Sequence, residues 1–399
     1  MDLIGWVIFL FALLFSVMLH ETGHFVMAKK FGMKVTRYFV GFGPTLWSIR
    51  RGETEYGVKG LPFGGFVKIV GMTSLDDVDE PADEPRSFRS KPAWQRIIVL
   101  CAGSFMHFVL ALVLLFILLA GVGVQSPSNA SRLGAIIPCV PASSTAFADG
   151  TCTAADKPSP AKAAGLQAGD QVTTFGGKPV STWTQLGNAI SRARPGSPTT
   201  ITVVRAGRTM TLHLTPAAVK GRSGGFLGIE ANEVYSTVGP VRAVQTAGST
   251  FWQILAGSAE AVKAVPSALP GLFSKNRANT AAGQVSSVVG LANSTGQEVA
   301  SNVGWQSKVS FVLLLMAELN IFFGAFNLLP LLPMDGGHVA AIVWERIRAW
   351  FARRRGRPDP GLVDMTKLLP VSFSLFAVVI LFSVLVVLAD IVNPVNIAG

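Results

Sequence analysis

Residues 20–24 read His-Glu-Thr-Gly-His. On a helix the two imidazoles, four positions apart, share one face and can reach a single metal ion. Glu21 projects beside them, where it can take a proton from water and pass it to a leaving amine. Zn2+ is the natural ion for imidazole and carboxylate ligands. The five residues interrupt an apolar run that starts near Ile4 and ends at Phe25. Ionisable groups in such a run are costly unless ligated, paired or wetted. Metal binding is the reading preferred over a merely wet polar patch at a helix end.

A catalytic zinc site usually takes a third protein ligand and keeps one position open. The best candidate is Asp335, in the stretch 327–338, Asn-Leu-Leu-Pro-Leu-Leu-Pro-Met-Asp-Gly-Gly-His. Its prolines break helix continuity, and Gly336 and Gly337 allow close backbone approach. Broken backbone at membrane depth is tolerated only beside protein or a wet cavity. An ordinary helix N-cap is the alternative role for Asp335. His338 and Glu318 are rival third ligands. Asn327 could hold a substrate backbone or polarise a scissile carbonyl, or simply join helices.

The elements that must position these groups are apolar spans. The chain has 399 residues, of which 50% are hydrophobic and 14% charged. Soluble domains carry about 25% charge, so an ordinary soluble enzyme is excluded, as is disorder. The sequence predicts a first span over 1–25, a second over 96–124, a third over 305–340 and a fourth over 368–390. Between them lie a Gly- and aromatic-rich region of short strands (26–95), a soluble mixed α/β insert (125–235), an amphipathic stretch (236–304) and a basic loop (341–367). Residues 74–91 read as a linker, acidic and then basic. Lys29, Lys30, Lys34, Arg37 and Arg50 follow the first span, and Arg346, Arg348, Arg353, Arg354, Arg355 and Arg357 follow the third. Both clusters place the same side in the cytoplasm. The net charge of +11 therefore reads as membrane orientation, with no nucleic-acid partner. An oxidising compartment around the insert would let Cys139 and Cys152 pair.

Taken together, these motifs resemble the site-2 protease (M50) family of intramembrane zinc metalloproteases. The resemblance is to the bacterial branch that regulates intramembrane proteolysis, near its mycobacterial-type member. Leu19 with the histidine motif matches the family's first-span zinc motif, which implies ligands at His20 and His24 and a general base at Glu21. The stretch 327–338 matches the third-span motif, implying a third ligand at Asp335 and the family asparagine at Asn327. GLPFGGFVKIVGM, from residue 60, is similar to a membrane re-entrant β-hairpin that presents substrate as an extended strand. RSFRSKPAWQR, residues 86–96, resembles the family stretch that precedes the second span. AKAAGLQAGDQVTTFGGKPV, from residue 161, resembles the core of a PDZ domain. Two departures stand out. Where many relatives read AGPxxN, this chain has Ala102-Gly103-Ser104-Phe105-Met106-His107. The GPxGI pattern is replaced by SSVVG at 286–290.

The fold class expected is therefore a polytopic α-helical membrane protein with four transmembrane helices, a membrane-associated β-hairpin and an inserted extracytoplasmic PDZ domain. The family implies a Zn2+ cofactor and hydrolysis of peptide bonds within transmembrane segments of single-span proteins. Anti-sigma factors already cut by a site-1 protease are the substrates it suggests. The implied location is the inner (plasma) membrane, with the lipid bilayer as a partner and both termini outside. A transporter or metal-handling protein explains Glu21 and the folded insert less well. An inactive PDZ-bearing scaffold has no need of intact His20, Glu21, His24 and Asp335.

Overall fold

The computed structural model describes residues 3–72, 81–141, 156–220, 224–274, 277, 285–301, 303–363 and 369–393. Most of the acidic part of the 74–91 stretch, and Cys152, lie outside these residues. The chain divides into two compact units, Met1–Val122 with Val238–Gly399, and Gly123–Thr237.

The first unit opens with α1 (Leu3–Lys30), which ends on Lys29 and Lys30, charges that suit the negative end of the helix dipole. Strands β1 (Val35–Arg51) and β2 (Thr54–Ile69) follow, joined at Gly52 and Glu53. Gly52 has φ +61°, the left-handed backbone that glycine adopts without strain. The two long strands fold back on themselves. Residues 37–40 pair with 55–58 on one side and with 65–68 on the other. The stretch 61–69 pairs only with 35–42, so among the described residues its far edge has no strand partner. Helix α2 runs over Ala93–Ile117 and continues through one π turn, Leu118–Val122.

The second unit is built around its own apolar core, with Leu133, Val172, Leu186, Ile201 and Val203 buried. Its strands are β3 (Val124–Pro127), β4 (Leu133–Ile136), β5 (Gln171–Phe175), β6 (Lys178–Pro179), β7 (Thr199–Arg205), β8 (Arg208–Leu214), β9 (Ile229–Ala231) and β10 (Glu233–Ser236). Four form a sheet in the order β6-β5-β7-β8, while β3 pairs with β10 and β4 with β9. Two short helices, α3 (Pro160–Ala163) and α4 (Trp183–Arg192), are N-capped by Ser159 and Thr182, residue types that satisfy a free helix N–H. Cys139 is disulfide-bonded.

The first unit resumes with α5 (Pro240–Ala268), α6 (Val288–Ala300), α7 (Trp305–Asn327), α8 (Asp335–Arg354) and α9 (Leu369–Val392). Among the described residues, four helical stretches are long and apolar enough to cross a membrane: α1, Ala93–Val122, α7 and Ser372–Val392. The 305–340 stretch is not one helix. It stops at Asn327, and a second helix begins at Asp335 and extends into the basic stretch. The 236–304 stretch forms two helices, α5 and α6, with a break between them.

Ala28, Met33, Val35, Ile69, Val99, Leu100 and Ile342 form one buried cluster that joins α1, the base of the strands, α2 and α8. A buried ion pair reinforces it, with Arg96 Nη2 donating to Glu345 Oε2 at 2.8 Å. Phe9, Ala292, Leu315 and Met316 bind α1, α6 and α7 together. Near the end of α9, buried Asp390 accepts from Arg277 and from the backbone N–H and hydroxyl of Ser287. This fastens α9 to the entry of α6.

At the turn between β1 and β2, Glu53 accepts from Arg86 at 2.8 Å and pairs with Lys29. The Arg86 hydrogen bond, opposed by burial and aided by Lys29, holds the Glu53 carboxyl down at about 2, against an ordinary 4.5. A depressed folded-state pKa stabilises the fold above the ordinary carboxylate value and loses that contribution as pH falls towards the folded one. Hydrogen exchange of the 51–56 amides should therefore lose protection between about pH 4.5 and pH 2. The effect should shrink in high salt, because the pair is partly exposed. Glu53→Gln should flatten the profile; a flat wild-type profile contradicts the assignment.

Candidate metal and catalytic site

The site depends on how closely α1 can lie against α2. A Cβ on Gly23 would collide with the Ala102 carbonyl. One on Gly103 would strike the His24 imidazole and approach His20 Nδ1 to 2.8 Å. Only glycine at these two positions lets the helices meet at this depth. The approach brings the α2 carbonyls within reach of the α1 histidines. His24 Nδ1 donates to the Val99 carbonyl at 2.7 Å, which leaves its Nε2 with a lone pair. His20 Nδ1 lies near Gly103, one turn further along α2, and makes no hydrogen bond. The carbonyl behind His24 Nδ1 is the support that metal-binding imidazoles commonly have.

The two Nε2 atoms stand 3.0 Å apart. Asp335 Oδ2 lies 3.4 Å from each and is buried with no hydrogen-bond partner. His20, His24 and Asp335 are thus three groups able to share one ion. With bonds of about 2.0–2.1 Å, the ligand atoms of a tetrahedral zinc stand roughly 3.3 Å apart, so the spacing fits. The donor set fits as well, because two imidazole nitrogens and a carboxylate oxygen are ligands that zinc takes.

Asp335 is the first residue of α8, and Met334 holds the N-cap position. The aspartate therefore does not spend its side chain as a cap. Gly336 and Gly337 seat the start of α8 against the backbone of Leu328, Leu329 and Leu331, where any Cβ would clash. The two prolines and two glycines thus end α7 and restart the helix with a carboxylate aimed back at the histidines.

A cavity of about 540 Å³ opens on this cluster, lined by His20, Glu21, His107, Asn327 and Asp335 among apolar neighbours. Pro62 and Gly64 of β2 form part of its wall. Gly65 packs so tightly that a Cβ there would lie 2.8 Å from Met18 Sδ and 3.6 Å from Glu21 Cγ. The structure thus gathers His20, Glu21, His24, Asn327 and Asp335 in one place. Glu318 is exposed on α7, and neither it nor His338 joins the three-ligand group. Ser16 and Asn320 stand out only in three dimensions. Both are buried and hydrogen-bonded to His107. Their signal in the sequence is a lone polar residue within an apolar run, each at helical spacing from a site residue.

An apolar bundle that encloses two histidines, a glutamate and an aspartate around one cavity defines a membrane-embedded metallopeptidase. Residues 8–358 match the model of Peptidase family M50, and the chain belongs to that family as a zinc-dependent protease. It is 37% identical over 415 aligned residues to zinc metalloprotease Rip1 of Mycolicibacterium smegmatis, covering 99% of this chain and 98% of the relative. It is 35% identical to zinc metalloprotease Rip1 of Mycobacterium tuberculosis, over 98% of each chain. A putative zinc metalloprotease of Fusobacterium nucleatum is 28% identical, over 83% of this chain and 85% of the relative.

Gly103 yields the sharpest prediction. Gly103→Ala should displace both imidazoles and lower zinc affinity more than tenfold while helix content by circular dichroism stays unchanged. Wild-type zinc affinity in a folded Gly103→Ala variant would contradict the close-approach argument.

Proposed function

We propose that the chain is an intramembrane endopeptidase in which His20, His24 and Asp335 hold zinc and Glu21 is the general base. The observation that carries this reading is three ligand atoms at tetrahedral spacing beside Glu21, two of them and Glu21 itself on a helix apolar enough to span a bilayer. When bound, zinc supplies Lewis-acid polarisation of the scissile carbonyl and acidifies water. Glu21 takes the proton of the attacking water and delivers it to the leaving amine. Asn327 donates from its amide to the scissile carbonyl or to the flanking backbone.

A helical substrate must unwind before its carbonyls can be attacked. Its freed backbone groups then need partners, because lipid offers none. The edge of residues 61–69 that has no strand partner among the described residues runs beside α1, with Pro62 and Gly64 at the cavity. In this reading that edge takes the unwound segment as an added strand, and the β1–β2 element is the re-entrant hairpin of the family. The unit Gly123–Thr237 corresponds to the extracytoplasmic PDZ domain, which excludes bulky substrates or receives a new C-terminus. Substrates are single-span proteins such as anti-sigma factors trimmed by a site-1 protease. The enzyme sits in the plasma membrane with both termini outside and the arginines of α8 in the cytoplasm.

The test is purified protein in lipid with a single-span substrate. Glu21→Gln should lower cleavage by at least 10³-fold, on the order of losing a general base together with its positioning, while zinc stoichiometry is kept. His24→Ala should lose the zinc. Cleavage by Glu21→Gln at the wild-type rate, or full zinc in His24→Ala, would sink the assignment.

A further inference from the structure

His107 lies on α2, buried, with its ring centroid 4.9 Å from that of His20. It faces the same cavity as Glu21 and Asp335. Its surroundings determine which nitrogen carries the proton. The starting point is Asn320 of α7, whose Nδ2 donates to the Met316 carbonyl at 2.7 Å. Flipping that amide would set two acceptor oxygens against each other, so its orientation is fixed. Asn320 Oδ1 must therefore be the atom that lies 2.8 Å from His107 Nδ1. The Ser16 hydroxyl donates to the same Oδ1 at 2.6 Å, and its oxygen stands 3.2 Å from His107 Nδ1. Both neighbours of Nδ1 are thus acceptors, and Nδ1 must be the donor. In the neutral ring, Nε2 then carries the lone pair.

We infer that His107 is a substrate-binding residue, held by Asn320 and Ser16 as the Nδ1–H tautomer so that Nε2 accepts a hydrogen bond from a backbone N–H of the unwound peptide. The inference rests on the endopeptidase reading above. It adds a chemical asymmetry to the cavity. The open strand edge and Asn327 can serve both carbonyls and N–H groups, whereas His107 Nε2 serves only a donor. An N–H released from a helix inside an apolar cavity needs such an acceptor, since an unpaired buried amide is expensive. The wall beside His107 is otherwise largely apolar, with Leu10, Leu13, Leu14, Val17 and Phe323. Side chains from two other helices, Ser16 of α1 and Asn320 of α7, converge on one ring nitrogen of this α2 residue. A histidine whose only task is to fill space does not require that its tautomer be chosen.

Two measurements test this. Solid-state NMR of 15N-histidine-labelled full-length protein in lipid, with the His107 signals assigned by difference against His107→Gln, should show Nδ1 protonated and Nε2 unprotonated. The Asn320→Leu variant should shift the proton to Nε2. Protonated Nε2 in the wild type would overturn the inference whatever the activity. The second measurement is steady-state cleavage with zinc content determined in parallel. His107→Leu should keep its zinc and lose about 10- to 100-fold in kcat/KM, the loss of one buried hydrogen bond. His107→Gln restores an acceptor near the Nε2 position and should recover most of that loss, which a role in packing alone would not predict. Zinc-loaded His107→Leu that cleaves like the wild type would also overturn it. If the wild type cleaves no single-span substrate at all, it is the endopeptidase reading that fails, and the tautomer result stands apart from it.

Discussion

The whole arrangement depends on the contact between α1 and α2 at Gly23 and Gly103. Two helices this close exchange side-chain volume for backbone proximity. The gain is a carbonyl behind the His24 imidazole, and rings whose Nε2 atoms converge to 3.0 Å. Neighbouring contacts in the first unit support the one between α1 and α2. The buried cluster around Val99 and Leu100 holds α1, α2 and α8 in one body. The Arg96–Glu345 pair ties the start of α2 to the helix that carries Asp335. A buried pair of this kind is a weak source of stability but costly to break. Here it fixes α2, against which the α1 histidines lie, relative to the helix that carries Asp335.

Much of the site was legible in the sequence because its chemistry is at odds with its surroundings. His20, Glu21 and His24 stand out as ionisable groups within an apolar run, and their spacing has one economical explanation. Asp335 stands out because prolines precede it and glycines follow it. The +3 spacing of His338 and the apolar flanks of Glu318 made them rivals to Asp335, the preferred third ligand. Helix phase, which a sequence does not fix across a broken segment, sets them apart from the three. The break itself was visible as Pro and Gly, and a helix starting there entered only as the alternative that would make Asp335 its N-cap. That restart depends on the Leu328–Leu331 backbone accepting two glycines at contact distance.

The Ser16–His107–Asn320 network shows where local reading ends. Its members are separated by 91, 213 and 304 positions. Each is a polar residue flanked by apolar ones in a largely apolar helix, a pattern that ordinary interhelical hydrogen bonds also produce. Only their convergence at the cavity distinguishes them. The strands are a similar case. Gly-rich aromatic sequence announces short strands, but the open edge of 61–69 follows from residues 37–40 pairing on both sides, a long-range choice that composition does not encode.

In the proposed site, two imidazoles and one carboxylate, brought together by glycine-lined helix contacts, share a single zinc ion. Zinc K-edge X-ray absorption of the purified protein tests it most directly. The account predicts only nitrogen and oxygen neighbours at about 2.0–2.2 Å, with the scattering of two imidazole rings. A sulfur neighbour near 2.3 Å, which would bring in Cys101 on α2, or the signature of only one imidazole, would contradict it.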